Sequence, residues 1–232
     1  MRQFPLMLFA AGFGTRMGAL TRDQPKPLIK VAGRALIDHA LALANAAGIT
    51  RRVVNLHYRG DQIAAHLAQK NVALSWESET ILETGGGLRA ALPLLGPGPV
   101  LTLNTDGVWS GQNPLHELAA AWDAGRMTAL LLLVQCSAAV GHTGTGDFLL
   151  DAEGRIGRAN GRPGLVYVGA QILDPAGLHG FALPVFSLNL LWDRLIAEGR
   201  AYGLLHAGAW CDVGRPAGIA LAEAMLAQSG DV

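Results

Sequence analysis

The sequence predicts an α/β protein with a mixed, mostly parallel central sheet flanked by helices. Apolar runs of strand length alternate with segments of helical periodicity from residue 4 to residue 134. That alternation calls for strands covered by helices on both faces. Beyond residue 141 the pattern changes to dense glycines and short extended pieces, which read as a small hairpin region partly outside the main sheet.

The elements follow in chain order. Residues 4–10 form a buried first strand that runs into a glycine loop. Residues 34–47 carry Leu36, Ile37, Ala40, Leu41 and Ala44 at helical spacing, and Gly48 ends that helix. A strand is expected over residues 52–57, then a short helix over 61–69 with Ile63, Ala64 and Leu67 inward, then a strand over 72–76. Residues 88–95 read as helix with Pro93 near its end, and 100–103 as a strand closing in Asn104-Thr105-Asp106. A helix over 115–124 and a very apolar strand over 128–134 follow. In the glycine-rich region, residues 148–150 and 155–158 are extended, separated by turn residues such as Glu153-Gly154. Residues 165–173 form a strand, 188–198 a helix, 209–213 a short strand, and 216–227 a closing helix with Pro216 in its first turn. No repeat or linker divides the chain, so residues 1–232 are expected to form one domain, with halves at 1–135 and 136–232.

Composition narrows the function. Half of the residues are hydrophobic and 16% are charged, so a large core is available and disorder is not expected. The formal net charge is zero, without the basic excess of a nucleic-acid partner. The longest purely apolar run after the first strand, residues 129–134, is far too short to span a bilayer, and no membrane partner is expected. The apolar start is short, carries a single cation and leads directly into the glycine loop, so it is read as a strand rather than a signal peptide. Cys136 and Cys211 lack metal or redox spacing and read as reduced thiols.

The chemistry concentrates in Leu8-Phe9-Ala10-Ala11-Gly12-Phe13-Gly14-Thr15-Arg16-Met17, followed by Pro25-Lys26-Pro27-Leu28. Glycines let backbone N–H groups approach an anion, and Arg16 and Lys26 add fixed positive charge. The guest this favours is a polyphosphate. No Gly-Lys-Ser/Thr follows, so the loop is not a Walker loop, and the third glycine of a dinucleotide-binding turn is missing. The prolines flanking Lys26 fix the backbone there. Ligands of such sheets gather at the carboxyl ends of strands, where the glycine loop, the segment after Trp76 and Asp106 all fall. Further candidates are Glu77, Leu82-Glu83-Thr84-Gly85-Gly86-Gly87 at a helix start, Gly144-Thr145-Gly146-Asp147-Phe148, Val168-Gly169, and Trp210-Cys211-Asp212-Val213-Gly214. Read locally, Glu77 fits a solvated loop acid as well as a hydroxyl ligand. Asp147 fits a hairpin turn as well as a sugar contact, and Asp212 fits a helix-entry turn as well as a metal ligand.

Together these motifs resemble the sugar-1-phosphate nucleotidyltransferases, or NDP-sugar pyrophosphorylases, over nearly the whole chain. Phe9 stands where alanine or leucine is usual, Ala19 where proline is common, and Gly107 intervenes after Asp106 where an apolar residue usually follows. The resemblance implies a Rossmann-like, GT-A-type fold whose first half binds nucleotide and whose second half binds sugar and closes the site. It implies that Ala11, Gly12, Gly14, Thr15, Arg16, Lys26, Glu77, Gly85 and Asn104 contact the nucleotide, and that Glu83, Gly86, Asp147 and Gly169 contact the sugar. Arg16 and Lys26 would be catalytic, and Asp106 and Asp212 would hold Mg²⁺. The Glu83–Gly87 form is similar to the N-acetylmuramate α-1-phosphate uridylyltransferases of peptidoglycan recycling. The expected reaction joins a nucleoside triphosphate, UTP for that subfamily, to a sugar 1-phosphate with release of pyrophosphate, in the cytoplasm, by a monomer or small homo-oligomer. Mannose-1-phosphate guanylyltransferase and glucose-1-phosphate uridylyl- or thymidylyltransferase chemistry would use the same phosphate and metal residues. A non-catalytic nucleotide-sugar-sensing domain would have lost one of Arg16, Lys26, Asp106 and Asp212, and all four are present.

Overall fold

The computed structural model describes residues 3–230. In chain order the strands and helices are β1 (Leu6–Phe9), β2 (Lys30–Val31), β3 (Arg34–Ala35), α1 (Leu36–Ala46), β4 (Arg52–Leu56), α2 (Gly60–Leu67), β5 (Ala73–Trp76) and α3 (Glu83–Leu95). They continue as β6 (Val100–Asn104), β7 (Gly107–Ser110), α4 (Pro114–Ala121), β8 (Ala129–Gln135), β9 (Ala139–Val140), β10 (Phe148–Leu150), β11 (Ile156–Arg158) and β12 (Leu165–Leu173). The last elements are α5 (Asn189–Ala197), β13 (Ala201–Leu205), β14 (Ala209–Asp212) and α6 (Ala217–Ser229). The expected elements are present, with ends shifted by a few residues. Additional to them are β7, β9, β13 and the small β2–β3 hairpin.

A nine-stranded mixed sheet forms the centre. Strands β6, β1, β4 and β5 run parallel, so their carboxyl ends share one edge. Strand β12 pairs antiparallel with both β6 and β8, and β13 adds parallel to β8. The hairpin β10–β11 joins through β10 at the start of β12. Strands β1, β6 and β8 are buried almost throughout, which accounts for their unbroken apolar sequences. One face packs against α1, α2 and α4 through residues such as Leu6, Leu8, Ile37, Leu41, Ile63, Leu118 and Leu130. The other packs against α3 and α5 through Met7, Val53, Leu88, Leu95, Leu131, Leu173 and Leu195.

A second, three-stranded sheet lies in the order β7–β14–β9. It is covered by α6, with Val108, Cys211, Val213, Ala222 and Leu226 in one apolar cluster. This small sheet positions the site. Strand β14 is antiparallel to β7 with Asp212 opposite Gly107, and Val213 N donates to Asp106 O at 2.9 Å. Two acids far apart in sequence are thereby brought to the same end of one strand pair.

Candidate active site

A cavity of about 290 Å³ opens over the carboxyl ends of β1, β4, β5 and β6. Ala11, Gly12, Gly14, Thr15, Arg16, Lys26, Glu77, Glu83, Asn104 and Asp106 all line it. The glycine loop leaves β1 and enters a tight turn over Thr15–Thr21. Gly14 has φ +64°, and a Cβ there would lie 2.9 Å from the Lys26 Cβ. Glycine is therefore required both by the left-handed backbone and by the packing of the loop onto Lys26.

Lys26 is buried, and its Nζ donates to Asp106 Oδ2 at 2.7 Å. Asp212 faces the same group of charges. Burial raises its carboxyl above the ordinary value, the nearby Asp106 charge raises it further, and Lys26, Arg16 and His142 pull in the opposite direction. Arg16, Lys26, Asp106 and Asp212 thus share one electrostatic neighbourhood. Gly107 also finds its physical reason. A Cβ at this position would sit 2.5 Å from Trp210 Nε1 and 3.3 Å from Trp109 Nε1, so glycine lets β7 lie against the tryptophans.

Glu77 lines the cavity but both of its carboxylate oxygens are committed. Oε1 accepts from Asn55 Nδ2 at 2.7 Å, and Oε2 accepts from Leu82 N at 2.7 Å. Asn55 Oδ1 in turn accepts from Ala10 N at 2.8 Å. This chain ties the glycine loop to the segment before α3, so Glu77 braces the cavity wall rather than standing as a solvated loop acid. Asn55 was not anticipated. Its signal is a polar residue inside the apolar strand Val53-Val54-Asn55-Leu56, where a buried amide needs partners.

The triple-glycine segment requires a correction. It is not a loop ahead of a helix beginning at Leu88, because α3 already starts at Glu83. Gly85 N and Gly86 N both donate to Phe186 O, at 2.9 and 3.1 Å. A Cβ at Gly85 would strike the Phe186 ring, and one at Gly86 would strike Pro184 O. These glycines serve close packing against residues 184–186, and their N–H groups are already used. Neither Gly85, expected at the nucleotide, nor Gly86, expected at the sugar, lines this cavity. Glu83 retains its place on the cavity, with a left-handed φ of +62°.

A second cavity, also about 290 Å³, shares Phe9, Glu83, Thr84 and Asn104 with the first. Asp147 lines this one, and its Oδ2 accepts from Tyr167 N at 2.9 Å, which fixes the carboxylate on the wall. Gly169 does not line either cavity. It sits where β12 changes register, with φ +78°, and a Cβ would lie 2.8 Å from both Cβ and Nδ2 of Asn104. Its contribution is to let Asn104 stand between the two cavities.

A glycine loop, two cations and two neighbouring acids gather at the carboxyl edge of the parallel strands, an arrangement in keeping with a nucleotidyltransferase. The chain belongs to the MobA-like NTP transferase domain family, whose model matches residues 6–142. Among individual proteins it is similar to the N-acetylmuramate alpha-1-phosphate uridylyltransferase of Caulobacter vibrioides, with 42% identity over 96% of this chain and 97% of the relative. The protein of the same name from Neisseria meningitidis serogroup B is 34% identical over 94% of this chain and 96% of its own length. The fold is shared with HddC from Yersinia pseudotuberculosis, solved in complex with GMP-PN, at TM-score 0.78 and 20% identity, covering 96% of this chain and 99% of that one.

Proposed function

We propose that the protein joins UTP to N-acetylmuramic acid 1-phosphate in a Mg²⁺-dependent reaction that releases pyrophosphate. An oxygen of the sugar phosphate attacks the α-phosphorus, and the bond from that phosphorus to the bridging oxygen of the β-phosphate breaks. The attacking oxygen is already ionised near neutral pH, so no side chain has to remove a proton. The obstacle is charge. Two unit charges about 4 Å apart repel by roughly 4 kcal/mol at an effective dielectric of 20.

The observation that carries this reading is that Arg16, Lys26 and Asp106 line one cavity and Asp212 lies within electrostatic reach of all three. The glycine loop and Thr15 offer N–H and hydroxyl donors to the triphosphate, and Arg16 offers charge to the departing pyrophosphate. Lys26 would bridge the α-phosphate and the incoming sugar phosphate and orient both. Asp106 and Asp212 would hold Mg²⁺, which supplies charge neutralisation for the phosphates. The donor set suits that ion, which takes one or two carboxylates and completes its shell with phosphate and water oxygens. The raised carboxyl of Asp212 beside Asp106 supports the same fit, because a cation relieves their mutual repulsion. The second cavity, with Asp147, Glu83 and Asn104 on its walls, is assigned to the sugar. The names of the two uridylyltransferase relatives support the choice of uracil and of the muramic acid sugar. We propose that the reaction runs in the cytoplasm, where activated nucleotides are used, as a step of peptidoglycan recycling. Among the described residues no helix is long and apolar enough to cross a membrane.

The test is pyrophosphate release from a panel of nucleoside triphosphates and sugar 1-phosphates, with Mg²⁺ and with a chelator. UTP with N-acetylmuramic acid 1-phosphate should be the fastest pair, and the chelator should abolish it. Asp106→Asn should lower turnover by at least about a hundredfold, as for loss of charge stabilisation in a transition state. Release with no pair, or near-normal turnover of Asp106→Asn at limiting Mg²⁺, rejects the reading.

A further inference from the structure

We propose that Arg158 selects the acidic sugar by receiving the lactyl carboxylate of N-acetylmuramic acid 1-phosphate. The inference rests on the uridylyltransferase reading above. That sugar differs from N-acetylglucosamine 1-phosphate by an ether-linked lactyl group, which adds one negative charge to the sugar end. The second cavity offers a single cation to meet it. Of the side chains lining that cavity, Arg158 alone is basic, while Glu83 and Asp147 are acids that accept hydroxyls and repel a carboxylate.

The guanidinium is held in advance of any ligand. It lies over the Phe148 ring at 4.9 Å and the Trp192 ring at 5.7 Å. Its Nε donates to Asp193 Oδ1 at 2.7 Å and its Nη2 to Asn189 O at 3.2 Å. No hydrogen bond from Nη1 is found among the described residues, so that side of the fork can still donate. Asp193 is solvent-exposed, which screens its neutralising effect. An arginine suits this task because its planar fork matches a carboxylate and stacks on aromatic faces. The residue reaches the cavity from β11, opposite Phe148 of β10, a pairing that brings cation and aromatic face together.

The experiment compares kcat/KM for N-acetylmuramic acid 1-phosphate with that for N-acetylglucosamine 1-phosphate, both with UTP and Mg²⁺. In Arg158→Gln the ratio should fall about tenfold to a hundredfold, the scale of a charge-assisted hydrogen bond. The loss should fall mainly on KM for the acidic sugar, with KM for UTP unchanged, and Arg158→Lys should recover part of it. A merely structural arginine would harm both sugars alike, and an unchanged ratio overturns the proposal. Should Arg158→Gln not fold, the wild-type enzyme decides with the uncharged lactyl amide of the same sugar phosphate. Loss of the same factor supports the proposal, and equal use of acid and amide overturns it. If the wild-type enzyme uses neither sugar with UTP, the uridylyltransferase reading fails and this inference with it. If it prefers the acid while Arg158→Gln keeps that preference, only the inference fails.

Discussion

Lys26 shows how a single residue can be legible in sequence and still be completed by structure. Flanking prolines mark it as positioned, but its partner, Asp106, lies 80 residues away and is found through the fold. Lys26→Ala should therefore act twice, removing the proposed phosphate ligand and leaving Asp106 without its ion-pair partner. Steady-state assays should show kcat falling by at least about a hundredfold, with KM for the sugar phosphate raised, while the far-ultraviolet spectrum stays native. Normal KM and kcat together would remove Lys26 from the site. The two cysteines differ in the same physical terms. Burial pushes the Cys211 thiol up to about 11, with the neighbouring Asp212 charge adding to the effect, whereas Cys136 is exposed. Iodoacetamide at pH 8 should label Cys136 alone in the native protein and both cysteines in urea, as read by mass spectrometry. Labelling of native Cys211 would contradict its place in the core.

At the scale of elements, the pairing of β7 with β14 decides the site. The sequence Gly107-Val108-Trp109-Ser110 is too short to announce a strand, and its partner is distant, so the convergence of Asp106 and Asp212 was accessible only through family resemblance. Gly107→Ala should press a methyl group on Trp210 and shift that pairing. It should cost about 1–3 kcal/mol in denaturant unfolding, the range for overpacking a core, and should reduce turnover. Unchanged stability would show that the tryptophans yield freely. A clamp between α1 and the end of α2 gives a pH-dependent counterpart. Burial opposes ionisation of Asp38, but hydrogen bonds from Lys70 at 2.8 Å and His66 at 2.9 Å outweigh it, and the carboxyl is held below its ordinary value. Such a group contributes stability above the ordinary aspartate range, near pH 4, and loses it as pH falls through the lower folded value. Asp38→Asn should cost no more than about 1 kcal/mol at pH 7, and the difference from wild type should shrink as pH falls below the ordinary aspartate range and through the lowered folded value. A difference that does not shrink in acid would assign the effect to packing instead.

Across the whole molecule, the halves divided at residue 135 are interleaved. Strand β12 lies between β6 and β8, both from the first half, and β13 completes the sheet beside β8. The first cavity likewise takes Arg16, Lys26 and Asp106 from one half and Gly214 from the other, with Asp212 in the same electrostatic neighbourhood. A fragment of residues 1–135 would leave one edge of β6 and both edges of β8 unpaired, exposing buried apolar strands. It should show no cooperative unfolding transition, and a two-state transition in that fragment would make the first half an autonomous domain.

The amino-acid sequence alone determined the α/β alternation, the glycine loop and the identity of the cations beside it, because periodicity, glycine and charge are local properties. The tertiary structure alone decided that Glu77 braces a wall, that Gly85 and Gly86 pack against residues 184–186, and that Gly169 makes room for Asn104. It also decided that Arg158 enters the second cavity. Each of these depends on which distant backbone lies within a few ångströms, and strand pairing across the sheet sets that proximity without leaving a mark in any short stretch of residues.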